Sequence, residues 1–204
     1  YYLAGIAAAV GFHLRLFNIG IDGQYRLAAF AAAVVGAAVA LPPPLHIALI
    51  VGVALVVGWG WAAIAGLLFV RRGVNVVIST IMLTAVATGL IAYLLAPARF
   101  GRLAPGSNNV TTPTIPESGW IPGIPTVAGD LNGLLVLAVA IGAAYWFVLT
   151  RTTIGFEVRA MGHSGRAATV AGIRGPRLAL LTMAASGAIA GLVGLPQLLG
   201  ASHR

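Results

Sequence analysis

Three clusters of polar side chains interrupt the apolar run of this 204-residue chain. The first, Phe17-Asn18-Ile19-Gly20-Ile21-Asp22-Gly23-Gln24, places two amides and a carboxylate among two glycines. That pattern suits a discontinuous helix lining a cavity, because irregular backbone and an ionisable group inside a membrane need protein or water around them. A short turn with Asp22 paired to Arg26, four residues on, accounts for the same residues. The second cluster begins at Asn75. On a helix, Ser79 and Thr80 follow it by four and five residues, and Thr84 follows Thr80 by four, giving a polar stripe that must face other helices or water, for hydrogen bonding between helices or for substrate contact. The third spans 155 to 173, with Gly155, Arg159, Gly162, Arg166, Ala167, Ala168, Ala171 and Gly172 as its marked positions. Small residues and arginines between glycines fit a short surface helix that docks into a partner's groove. A solvated basic loop would explain the arginines but not the alanine spacing.

Apolar elements must carry these clusters. Fifty-nine per cent of the residues are apolar, 8% are charged and mean hydropathy is +0.98. Soluble domains average roughly 25% charged residues, and disordered chains need low hydrophobicity, so both classes are excluded. A spanning helix needs about 20 apolar residues. Apolar runs occupy roughly 27 to 41, 45 to 70, 74 to 96, 131 to 150 and 178 to 202, with a partial one over 1 to 12. They predict an all-α polytopic membrane protein with about five full or nearly full spans plus a partial one.

Net charge is +8, and all twelve basic residues are arginine. They sit between the apolar runs, which points to membrane topology rather than nucleic acid. With Arg71 and Arg72 on the cytoplasmic side, alternation puts Arg15, Arg26 and the basic segment 151 to 177 inside. The loop from 97 to 130 is then extracytoplasmic and carries Arg99 and Arg102 against Glu117 and Asp130. The absence of cysteine removes disulfides and thiolate chemistry.

Taken together, the clusters resemble permease subunits of ATP-binding-cassette importers, in the group that takes up ribose, branched-chain amino acids and, closest of all, nucleosides and simple sugars. Phe17 to Gln24 is similar to that group's motif of asparagine, glycine, an acidic residue, glycine and glutamine. Val74 to Leu83 resembles its valine, isoleucine, serine, threonine, isoleucine, methionine, leucine run. Arg159-Ala160, Gly162, Ala167-Ala168 and Ala171-Gly172-Ile173 resemble the cytoplasmic coupling segment, and Ser186-Gly187-Ala188 with Ala190-Gly191 the helix after it. Asp22 stands where glutamate is more usual, and His163-Ser164-Gly165 replaces a common Asn-Pro version of the coupling turn.

The resemblance implies a fragment of a longer permease in the bacterial inner membrane. It also implies a cytoplasmic ATP-binding subunit that keeps ATP and magnesium, a second permease subunit, like or unlike, and an extracytoplasmic solute-binding protein. This chain itself is expected to contact lipid and to bind no cofactor, metal or nucleic acid. Phe17, Asn18, Asp22, Gln24, Asn75, Ser79 and Thr80 are the expected solute contacts, with a branched-chain amino acid as the alternative cargo. An enzyme reading has one foothold: Gly162-His163-Ser164-Gly165 reproduces the serine motif of rhomboid-type intramembrane proteases, with His203 as the base. Ser164, however, lies in the most basic part of the chain, and His203 belongs on the opposite side of the membrane, so no catalytic residue is expected.

Overall fold

A computed structural model describes residues 1–103, 108–121, 123–126, 129–131 and 133–202. Eight helices carry the architecture: α1 (Tyr2–Phe12), α2 (Ile21–Ala38), α3 (Pro43–Arg72), α4 (Val76–Leu94), α5 (Leu135–Arg151), α6 (Thr153–His163), α7 (Gly165–Val170) and α8 (Gly175–Gly191). Proline starts α3 where no helical N–H is required, and Gly73, at φ 67°, ends it in the left-handed region that favours glycine. Arg71 and Arg72 occupy the last turn of α3, where positive charge meets the negative end of the helix dipole. The segment between α4 and α5 contains two small antiparallel ribbons, Arg102–Leu103 with Val110–Thr111 and Ile124–Thr126 with Gly129–Leu131.

Among the described residues, three helical stretches can cross a membrane by length and composition: Pro43–Arg72, Val76–Leu94 and Gly175–Gly200. The bent pair α5 and α6, which turns by 72°, makes a fourth when counted as one span. The expected five is therefore slightly high. The 18 residues of α2 reach only about 27 Å at 1.5 Å per residue, against a ~30 Å hydrocarbon core, and its first turns carry Asp22, Gln24 and Arg26. The last span runs as one helix over Gly175–Gly200, as the sequence reading has it, but its pitch varies. Beyond Gly191 it tightens over Leu192–Gly194, returns to α over Leu195–Gln197 and widens over Leu198–Ser202, with Pro196 among these irregular turns.

Small residues set the core. α3 packs most extensively on α8, where a Cβ at Gly58 would lie 2.3 Å from the Gly187 carbonyl oxygen and one at Gly191 2.2 Å from that of Ala54. Only glycine permits this approach, which is how membrane helices gain packing without a hydrophobic driving force. One apolar cluster, including Ala28, Ala32, Ile50, Ala54, Ile115 and Leu195, fills the end near the α4–α5 segment. A second, Leu16, Ala65, Val76, Ala179 and Met183, fills the arginine-rich end. His46 of α3, wholly buried, pins that first end: its Nε2–H donates to the Gly36 carbonyl at 2.9 Å and its Nδ1 accepts from the Ser118 hydroxyl at 2.7 Å.

Candidate solute pathway and coupling surface

The first two polar clusters meet, but as a packed crossing. Asn18 Nδ2 donates to Gln24 Oε1 at 3.0 Å and to Ser186 Oγ at 2.9 Å. Its Oδ1 accepts from Gln24 Nε2 at 3.0 Å and from the Gly20 N–H at 3.1 Å. Ser186 in turn donates to the Ala7 carbonyl at 2.6 Å. Every donor and acceptor site of the Asn18 amide is thus occupied, and α1, α2 and α8 are tied together through it. Gly20 and Gly23 bring α2 onto α4: a Cβ at Gly20 would lie 2.9 Å from the Thr80 carbonyl oxygen, and one at Gly23 2.7 Å from Thr84 Cα.

The polar stripe on α4 is turned inward on its own helix. The Ser79 hydroxyl lies 3.1 Å from the carbonyls of Asn75 and Val76, Thr80 donates to Val77 at 3.1 Å, and Thr84 donates to Thr80 at 3.0 Å. Ser79 and Thr80 are buried by the crossing. Asn75 is exposed and caps α4, accepting from the Val77 N–H at 2.8 Å. Phe17 is exposed and packs tilted on Phe12 with ring centroids 5.1 Å apart. Asp22 follows the turn alternative: it accepts from Arg26 Nε at 3.0 Å, with both side chains about half exposed.

Beyond the crossing, the same two helices border an open groove of about 420 Å³. Its walls are Tyr25, Arg26, Ala29, Phe30 and Ala33 of α2, Thr88 and Ile91 of α4 with Leu95, Val110 to Thr112 of the first ribbon and its edge, and Gly194, Gln197 and Leu198 of the irregular last span. Two buried side-chain groups, the Thr112 hydroxyl in this wall and the Trp61 indole N–H outside it, have no hydrogen-bond partner among the described residues. Phe30 meets Phe100 edge-on at 6.4 Å. Of these wall residues the sequence reading had marked none as a contact; Pro196 inside the last apolar run was the available signal.

The third cluster forms an elbow of two short helices. Thr152 caps α6 by accepting from the Gly155 N–H at 3.2 Å. A Cβ at Gly155 would fall 2.3 Å from the carbonyls of Val148 and Leu149, so glycine makes the sharp α5–α6 bend possible. Gly162 packs its backbone on His13, where a Cβ would be 2.1 Å from the carbonyl oxygen, and Ala168 is buried within the chain. Gly155 and Ala168 are internal, and Gly162 is half-buried against His13. Arg159 is half-buried, whereas Arg166, Ala167, Ala171 and Gly172, at φ 85°, are exposed beside Phe156 and Val170. Ser164 joins α6 to α7 and accepts from the Ala167 N–H at 3.3 Å, a capping role rather than that of a nucleophile. His203 lies outside the described residues. No group of three or more metal-binding side chains occurs among the described residues.

A mostly apolar groove beside the irregular last span and a glycine-hinged elbow at the basic end are what the geometry offers, and similarity to known proteins places them. Residues 1–203 match the family model described as branched-chain amino acid transport system / permease component. The chain belongs to this permease family. It is 36% identical over 211 residues to the glucose ABC transporter permease protein of Haloferax volcanii, covering 99% of this chain and 55% of that relative. The guanosine ABC transporter permease protein of Bacillus subtilis is 33% identical over 206 residues, 98% of this chain and 57% of its own. The nucleoside ABC transporter permease protein of Lactococcus lactis is 30% identical over 200 residues, 95% and 54% respectively. The chain thus spans about half the length of these relatives. No solved structure matches it. A permease component of this family is not itself an enzyme.

Proposed function

We propose that this permease forms part of the membrane pathway of an ATP-binding-cassette importer for nucleosides or simple sugars in the bacterial cytoplasmic membrane. The observation that carries the reading is the groove between α2, α4 and the irregular last span. Its volume falls within the ~300–1,000 Å³ typical of small-molecule sites. Tyr25 offers a ring face for a base or a sugar, Arg26, Thr88 and Gln197 offer polar groups for hydroxyls, and Asp22 holds Arg26 in place. Asn18, Gln24, Ser79 and Thr80 serve this pathway from behind, by locking the crossing against which the groove opens. The relatives named for glucose, guanosine and nucleosides favour the same solute classes.

In this reading the 97 to 130 loop faces an external solute-binding protein, and the 151 to 177 elbow faces the ATP-binding subunit. Phe156, Arg166, Ala167, Val170 and Ala171 form the docking face, while ATP and magnesium stay with that partner. A second permease subunit completes the pathway. Only contacts that differ between the two access states transmit the ATPase cycle, so the elbow's exposed residues and its hinge at Gly155 act together.

The test is ATP-dependent uptake by the full-length permease, reconstituted with its ATPase and binding protein, across nucleosides, pentoses, glucose and branched-chain amino acids. Nucleoside or sugar uptake that falls on Tyr25→Ala at unchanged assembly supports the proposal. Preference for leucine or isoleucine overturns the solute class, and failure of an ATPase to co-purify overturns the importer. Sidedness is tested by an impermeant thiol reagent on intact cells, which is expected to label Asn108→Cys and spare Ser164→Cys.

A further inference from the structure

The elbow and the crossing at Asn18 come from distant parts of the chain, yet the connector between α1 and α2, residues 13 to 20, touches both. At its start the His13 carbonyl meets Gly162 of α6 so closely that a Cβ there would lie 2.1 Å from the oxygen. Backbone rests on backbone, with no flexible side chain between. His13 Nδ1 lies 2.8 Å from the Ala9 carbonyl and 3.3 Å from the Tyr145 hydroxyl of α5. The elbow, and the helix from which it bends, thus grip one residue.

The far end is anchored as firmly. From Leu16 to Gly20 buried and exposed residues alternate, as they do along an extended chain. Leu16 enters the cluster with Ala65, Val76, Ala179 and Met183, Asn18 forms the amide network, and Gly20 lies on Thr80.

Between these anchors the chain has no slack. The Leu14 and Leu16 N–H groups both donate to the Gly11 carbonyl, at 3.1 and 3.0 Å, and the Arg15 N–H donates to that of Phe12 at 2.9 Å. This closed turn holds Arg15 at φ 58°, the one non-glycine residue with positive φ among the described residues. Left-handed backbone is unfavourable for a residue with a Cβ and persists only where its surroundings fix it, often at switch regions. Chain continuity also joins the elbow to α8, but through Gly172, at φ 85°, where a Cβ would meet nothing within 4 Å. A glycine in open space yields, whereas the connector is held at every turn.

We infer, on the reading of the elbow as the ATPase docking face, that this connector is the strut that carries movement of the elbow to the Asn18 crossing. As the elbow swings about Gly155, Gly162 bears on the His13 carbonyl, and the closed turn at Arg15 passes the displacement to Leu16, Asn18 and Gly20. There it reaches α2, α4 and α8 together, beside the groove.

The experiment uses the complete transporter in nanodiscs, in a cysteine-free background, with Ile19→Cys as reporter, because Ile19 is exposed between the buried Asn18 and Gly20. Its rate of labelling by a maleimide is compared without nucleotide and after trapping with ATP and vanadate. The two rates are expected to differ by roughly fivefold, a middling value for coupling through a packed network. Arg15→Gly, which frees the turn, and Gly162→Ala, which sets a methyl group against the His13 carbonyl, should each abolish the difference while the ATPase still traps nucleotide. Arg15→Asn, which also accepts positive φ but keeps a Cβ, should retain it. Equal rates in the reporter alone, or a difference that survives Arg15→Gly, overturn the strut and leave the docking reading standing. Loss in Arg15→Asn as well puts the effect in the arginine side chain and overturns the strut too. Failure of the ATPase to co-purify or to trap nucleotide overturns the docking reading, and the strut with it. Should Gly162→Ala fail to assemble, Arg15→Gly decides alone, because glycine suits the backbone that Arg15 already has.

Discussion

Helices α2 and α4 meet twice along their length, and the two meetings are built oppositely. At Gly20 and Gly23 against Thr80 and Thr84 the backbones touch, every polar group of Asn18 is matched, and no room remains. One to three turns on, at Tyr25, Arg26 and Ala29 against Thr88 and Ile91, the helices border open space and a hydroxyl in the wall goes unpaired. A membrane protein cannot leave polar backbone and amides exposed to hydrocarbon, so one meeting is closed with a saturated network, and the open one is the meeting proposed above for a solute. Density of polar residues does not mark open space here: the polar-rich segment is the clamp, and the sparser one is the opening.

Overfilling the clamp breaks the comparison most severely. Gly23→Val places a methyl group on Thr84 Cα, and a cost of about 3 kcal/mol or more is expected; loss of the monodisperse full-length protein in detergent chromatography checks it. Survival of that variant with normal uptake would mean the crossing opens readily. Asn18→Leu comes next. It strands Gln24 and the Gly20 N–H, each worth ~1–3 kcal/mol when buried and unpaired, while Ser186 keeps its bond to the Ala7 carbonyl, so thermal unfolding of the reconstituted permease should shift downward while the solute affinity of what remains folded changes little.

Groove substitutions are expected to behave in the reverse way. Tyr25→Ala should leave the melting temperature within experimental scatter and lower nucleoside uptake, since stacking on a base is worth ~1–3 kcal/mol in other binders. A melting shift without a transport defect would transfer Tyr25 to the clamp. Thr112→Val sharpens the contrast at smaller scale. The hydroxyl has no partner to lose, so stability should hold or rise slightly, whereas solute affinity falls by about fivefold if one neutral hydrogen bond of ~1 kcal/mol is lost. Asp22→Asn is the weakest, because exposed i,i+4 pairs contribute ~0.3–0.5 kcal/mol; a small change in uptake through Arg26 with no change in unfolding is the expected outcome.

Composition and periodicity alone determined that this is a helical membrane protein, which segments are apolar, where the arginines gather and that three polar clusters needed explanation. Those properties are local: a run of about 20 apolar residues must span, and an arginine pair at a helix end remains there whatever the helix touches. The motif order also pointed to the permease family, and the family match agrees. What the tertiary structure decided is which polar groups are satisfied. Asn18 reaches Ser186 across 168 residues, Thr112 comes to lie beside α2 and the irregular last span, and Gly162 settles on His13. Whether an amide binds solute or its own chain depends on what stands about 3 Å away, and no spacing along a single helix contains that distance. Sequence put Asn18 in the pathway and Gly155, Gly162 and Ala168 on the docking face because polarity and smallness were visible there. Packing gave the first to the clamp, Gly155 and Ala168 to the elbow's interior and Gly162 to its contact with His13, and it moved the open space to Tyr25, Thr88 and Thr112, whose types are ordinary and whose neighbours are not.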